Sequence, residues 1–224
     1  MRSMLTGIEW PTPAFAEPGP RRWLALALGA VCIALDLTVF VDEDLANGPL
    51  RLLVGLGVSA SYLFLGGDAR ALGIRLRPVS GGRFWVKVFL IYGLVCIATI
   101  AVLGLFVWWR QLPVESFFRT EADVRRFAFG GCIHAPITEE VIYRLVLCAP
   151  LVSLIGRVPT MLTSACLFTV LHLAWGNFEP NHPVGGLLLA WAYLRSGCLW
   201  VPIFIHSLNN LFALGVYSYL FYSG

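Results

Sequence analysis

The stretch Ala135–Pro150, APITEEVIYRLVLCAP, sets two adjacent glutamates, Glu139 and Glu140, and one arginine, Arg144, inside an otherwise apolar run. An ionised side chain at the centre of a bilayer costs roughly 3 kcal/mol on insertion scales, so three close together require pairing, water or function to offset them. Glu140 and Arg144 are four apart and share a helix face, as do Glu139 and Tyr143. The spacing predicts an intrahelical Glu140–Arg144 pair and turns Glu139 about 100° away, where it can hold a water.

The surrounding chain reads as membrane. Of its 224 residues 58% are hydrophobic and 13% charged, and the mean hydropathy is +0.77, whereas a soluble domain carries about 25% charged residues. A net charge of +3 spread over scattered arginines leaves no nucleic-acid footprint. The six cysteines form no CxxC pair and fall in or beside apolar segments, which makes them packing residues rather than a disulfide framework. Seven apolar runs are long enough to be membrane helices: 23–41, 50–65, 84–109, 127–152, 160–175, 185–194 and 200–222. The second and sixth are short, so the count is six to eight. No alternating barrel pattern is present. The expected fold is all-α, a polytopic transmembrane bundle of about seven helices with an intramembrane polar cavity. Residues 1–22 form an N-terminal cytoplasmic segment, and 23–224 form one membrane-embedded domain.

Loops such as GGDARALGIRLRPVSGG and RQLPVESFFRTEADVRR connect the runs. With the N-terminus inside, the inner ends hold ten basic residues and the outer ends five, Arg51, Arg110, Arg119, Arg125 and Arg126, with Arg144 left out as intramembrane. The bias favours an N-inside orientation. No internal repeat is evident, which argues against an inverted-repeat transporter.

Polar side chains recur deep in three of these runs, as TEEVIYR, FTVLH and HSLNN, and Asp36 lies in the first. A rise of 1.5 Å per residue puts Glu139 and His172 each ~18 Å from the start of its run, so antiparallel neighbours bring both near mid-membrane. His206 and Asn210 are four apart on one face. Glu139 can then activate water, His172 can shuttle a proton, and His206 with the Asn210 amide can stabilise an oxyanion. The same set can instead hold a divalent metal such as zinc through Glu139, His172 and His206, with one position open for water. HExxH is absent. Asp36 reads as a helix-packing group, His134 as a supporting residue, and His182 as a loop residue outside the site. Three other readings compete: a non-enzymatic scaffold or immunity-type partner, a proton-coupled carrier, and a thiol transpeptidase on Cys166 or Cys148.

Glu139-Glu140-x-x-x-Arg144, then Phe168-x-x-x-His172, then His206-x-x-x-Asn210 resemble the signature set of the CPBP (Abi) intramembrane proteases, which include the CAAX prenyl endopeptidases. The resemblance covers roughly residues 130–214 and marks 127–214 as the protease-like core. It implies an all-helical membrane enzyme, glutamate- or metal-dependent, that cleaves a membrane-anchored protein or peptide near its C-terminus, by CAAX-like processing or sorting-tag removal. Glu139 would activate water, His172 would transfer protons, His206 and Asn210 would stabilise the oxyanion, and Glu140 and Arg144 would support them. The expected location is the cytoplasmic membrane of a bacterium.

Overall fold

A computed structural model describes residues 10–42, 48–177 and 179–223; expectations for residues 1–9 and for most of the loop after the first run lie outside them. Among the described residues every regular element is a helix. We number them α1 (Pro20–Thr38), α2 (Pro49–Phe64), α3 (Gly82–Arg110), α4 (residues 121–155, in five consecutive segments), α5 (Arg157–Ala174), α6 (His182–Ser196) and α7 (Trp200–Ser223). Each apolar run has become one helix. Proline in the first turn of α1, α2 and α6 starts those helices a little ahead of the apolar run, since its missing N–H is one that no helix would use there.

Among the described residues, α3 and α5 are the two helices long and apolar enough, by length and composition, to cross a membrane. Of α3 only Trp85 is buried, against Trp191 of α6 at 5.5 Å between ring centres, and Tyr92 donates to Asn209 of α7 (2.9 Å). The rest of α3 offers leucines, isoleucines and valines to its surroundings. Such a face would be a large apolar liability in water and is the normal surface of a helix in lipid.

α4 carries TEEVIYR and departs most from regular geometry. Its first turn, Glu121–Arg126, is closed by a capping box in which Thr120 and Asp123 satisfy each other's backbone amides. The bonds from Thr120 and the Arg119 amide hold the Asp123 carboxyl below the usual carboxylate range. Two π-helical segments follow, Phe127–His134 and Val141–Cys148, on either side of the α-helical turn Ala135–Glu140. Prolines 136 and 150 fall just after the π segments begin to end, and each leaves a carbonyl without its helical donor. In the first segment the bonds run over five residues (Ala135 N–H to Gly130), so Pro136 fails Gly131; the Asn210 side chain of α7 donates to that carbonyl instead (2.7 Å). The second segment likewise closes with a five-residue bond (Ala149 N–H to Arg144), and beside Pro150 the Tyr62 hydroxyl of α2 donates to the Val146 carbonyl (2.8 Å). Each interruption is thus stitched to a neighbouring helix.

Residues from Trp10 onward pack on the bundle: Phe15 is buried in a core with Tyr62, Leu72, Cys148 and Tyr193, and Trp10 rests against it. Small residues set the closest approaches. A Cβ at Gly29 of α1 would meet the Tyr62 hydroxyl at 2.9 Å and the Val146 carbonyl at 3.0 Å, and one at Gly55 of α2 would meet Val141 at 3.0 Å.

Candidate active site

The α-helical turn between the two π segments presents Glu139 and Glu140 to three other helices, α2, α5 and α7. Both are buried, 3% and 0% exposed, with Arg144 (0%), His172 (8%) and His206 (7%). The pair expected from spacing is present: Arg144 Nε donates to Glu140 Oε2 at 2.8 Å. The same guanidinium donates to the Ser164 hydroxyl of α5 and lies over the Phe168 ring. The second Glu140 oxygen accepts from His206 Nδ1 at 3.0 Å. Glu140 therefore ties α7 to α4 while neutralising Arg144.

That bond aims the other nitrogen of His206 at Glu139: Nε2 stands 3.8 Å from Glu139 Oε2. The oxygen it faces is buried and has no hydrogen-bond partner among the described residues. The other Glu139 oxygen, Oε1, lies 3.7 Å from Arg51 of α2. His172 completes the surround. Its Nδ1 is 2.8 Å from the Phe168 carbonyl, which fixes the ring so that Nε2 is the free nitrogen.

Two residues read as peripheral from sequence belong here. Arg51 is not an outer surface cation. It is 2% exposed and clamped by Asp36, with Nε to Oδ1 at 2.6 Å and Nη2 to Oδ2 at 3.1 Å, while the Tyr143 hydroxyl donates to Asp36 at 3.0 Å. Asp36 thus packs helices together, as its lone position in the first run suggested. His182, set aside as a loop residue, starts α6 with its ring 4.0 Å from that of His172, and its Nδ1 accepts from the Glu179 amide (3.0 Å). Only its place three residues ahead of an apolar run hinted at this.

Other expectations are not met by contacts. Asn210 donates to Gly131 and accepts from Asn209; none of its hydrogen bonds reaches Glu139 or His206. His134 is half-buried and makes no side-chain hydrogen bond among the described residues. Cys148 is buried in the core, and the exposed Cys166 lines an apolar groove of about 470 Å3 between α5 and α6 that includes none of the buried polar residues. The polar residues close on one another rather than around that groove. For a metal the donor chemistry is present, but Glu139, His172 and His206 do not converge as a ligand set: no three His, Cys, Asp or Glu side chains among the described residues stand close enough together to hold an ion.

For His172 the depth also differs from expectation. Asp36 lies two residues from the end of α1, Arg51 two from the start of α2, His172 two from the end of α5, and His182 begins α6. These four stand within about one turn of one end of their helices, while Glu139 lies midway along α4 and His206 is six residues into α7.

No curated protein and no solved structure matches the chain. A sequence model of the type II CAAX prenyl endopeptidase Rce1-like family matches residues 123–212, which span α4 from its first turn, α5, α6 and half of α7. The match contains both glutamates, Arg144, His172, His182, His206 and Asn210, and leaves Asp36 and Arg51 outside. Through the helices that carry its buried carboxylates, the chain is similar over residues 123–212 to this Rce1-like family of membrane-embedded proteases.

Proposed function

We propose that the protein hydrolyses a peptide bond near the C-terminus of a membrane-anchored protein or peptide, with Glu139 as general base. The observation that carries this reading is the buried Glu139 Oε2, which lacks a hydrogen-bond partner and faces His206 Nε2 at 3.8 Å. A buried acceptor left open costs about 1–3 kcal/mol and calls for an explanation; a reacting water is one.

Charge counting supports the same roles. Asp36, Glu139 and Glu140 bring three negative charges, and Arg51 and Arg144 bring two positive ones. An uncompensated buried charge costs several kcal/mol, so one further proton on His206 or His172 balances the cluster. Glu139 then takes a proton from water as the oxygen attacks the scissile carbonyl. His206, locked by Glu140 at Nδ1, offers Nε2–H to the oxyanion, and the proton gained by Glu139 passes to the leaving amine directly or through His172. For Asn210 the geometry favours anchoring the first π segment, which keeps α7 and His206 in register with α4.

A non-enzymatic scaffold could use the same buried ion pairs to lock helices. The two readings separate on one comparison: new protein chain ends in membranes of cells making the wild type, Glu139→Gln or His172→Ala, with each variant's amount and thermal stability measured alongside. Chain ends present only with the wild type are expected. Their persistence in a well-folded Glu139→Gln protein would end the protease reading in favour of the scaffold.

A further inference from the structure

We propose that Arg51 is a positioning residue for Glu139, supplied by a part of the chain outside the family match. The inference rests on the protease reading of Glu139. The guanidinium is held on three sides. Asp36 of α1 takes two of its nitrogens in a forked pair, the Trp175 ring stands 4.8 Å from its central carbon, and Trp175 is itself fixed by donating to the Phe40 carbonyl at 3.1 Å. Tyr143, one turn beyond Glu139 on α4, donates to Asp36 and so references the clamp to the helix that bears the base. The third nitrogen, Nη1, is left toward Glu139 Oε1 at 3.7 Å. That is charge pairing rather than a hydrogen bond.

This geometry does two things for the base. It attracts Oε1, so that Oε2 is the oxygen turned to His206 and to the reacting water. It also places one fixed cation beside Glu139 without neutralising it by a close contact, because the short bonds of Arg51 go to Asp36. Lysine could not do both, since its point charge has no fork with which to hold Asp36 while facing Glu139. Close packing makes the reach possible. Gly55, one turn on from Arg51, is where α2 meets Val141 and Ile142 of α4, with no room for a Cβ.

A purely structural ion pair is the rival explanation, and replacing both partners separates the two. Asp36→Asn with Arg51→Gln exchanges a buried ion pair for a neutral hydrogen-bonding pair, which such sites commonly tolerate, yet it removes the cation from Glu139. The assay uses full-length protein in liposomes and the peptide bond identified by comparing wild type with Glu139→Gln. The double variant should stay folded and lose at least tenfold in kcat with KM within about twofold, and Arg51→Lys should recover part of the kcat that Arg51→Gln loses. A folded double variant with wild-type kcat, or equal losses with lysine and glutamine, would overturn the proposal; so would failure of both the double variant and Arg51→Lys to fold. If no product separates wild type from Glu139→Gln, the protease reading itself has failed, a different result from a wild-type double variant.

Discussion

The two adjacent glutamates have opposite relations to stability. Glu140 is bonded at both oxygens, to Arg144 and to His206, so Glu140→Gln leaves a buried guanidinium with Ser164 as its remaining partner. Breaking a buried pair from one side costs about 3–5 kcal/mol. Glu139 holds no hydrogen bond at Oε2, and Arg51 keeps Asp36 without it. Glu139→Gln also removes the one excess negative charge and frees the histidines to be neutral. Thermal unfolding in detergent should show Glu140→Gln strongly destabilised and Glu139→Gln within about 1 kcal/mol of wild type or above it; similar losses in both would refute this assignment of roles. The Glu140–Arg144 pair was legible because four residues along one helix fix it. Arg51 was not, because its partners come from two other helices, and a cation in the first turn of a helix looks like a surface charge until those neighbours are placed around it.

At the level of elements, apolar runs revealed the helices and roughly where they end, and composition could not reveal how α4 is wound. Residues in the π segments are as apolar as their neighbours, so nothing in hydrophobic periodicity marks a turn widened by one residue. The prolines were the available signal. Pro136 predicts an open carbonyl behind it, and Asn210, taken from its spacing as an oxyanion donor, is the group that fills that need. Asn210→Ala should cost about 1–2 kcal/mol, the ordinary penalty for stranding a part-buried acceptor. In a Pro136→Ala background the restored N–H can serve Gly131, and the cost of Asn210→Ala should shrink. A double-mutant cycle on thermal stability measures this coupling. Additive losses would mean that Asn210 acts elsewhere than on Gly131.

For the whole molecule the question is which side the cluster serves. Helix ends gather on two faces. One collects residues 10–19, the loop after α2, and the α6–α7 turn: the Val79 amide donates to Ser196 (2.8 Å), the Leu199 amide to Gly73 (3.0 Å), and the Arg157 and Arg195 guanidinia stand 5.2 and 5.5 Å from the Trp10 ring. The other joins the ends of α1 and α5 through Phe40 and Trp175, and the loop before α4 to the end of α7 through Ser116 and Tyr217. With Arg51 withdrawn into its pair with Asp36, the second face keeps Arg110, Arg119, Arg125 and Arg126, while the first holds Arg21, Arg22, Arg70, Arg75, Arg77, Arg83, Lys87, Arg157 and Arg195. The burial of Arg51 therefore sharpens the basic bias from which we expect the first face to be cytoplasmic. Asp36, Arg51 and His172 stand at the second-face ends of their helices and Glu139 lies deeper, midway along α4, so we expect substrates to reach the site from the outer side, as anchored proteins already exported would. An enzyme active only after export, fused to the C-terminus, should be active, and a fluorescent protein that folds only in the cytoplasm should report from the N-terminus. Inverted signals would turn the site toward the cytoplasm and toward substrates made and modified there. Two ends on the same side would break the alternation of seven helices on which the placement depends.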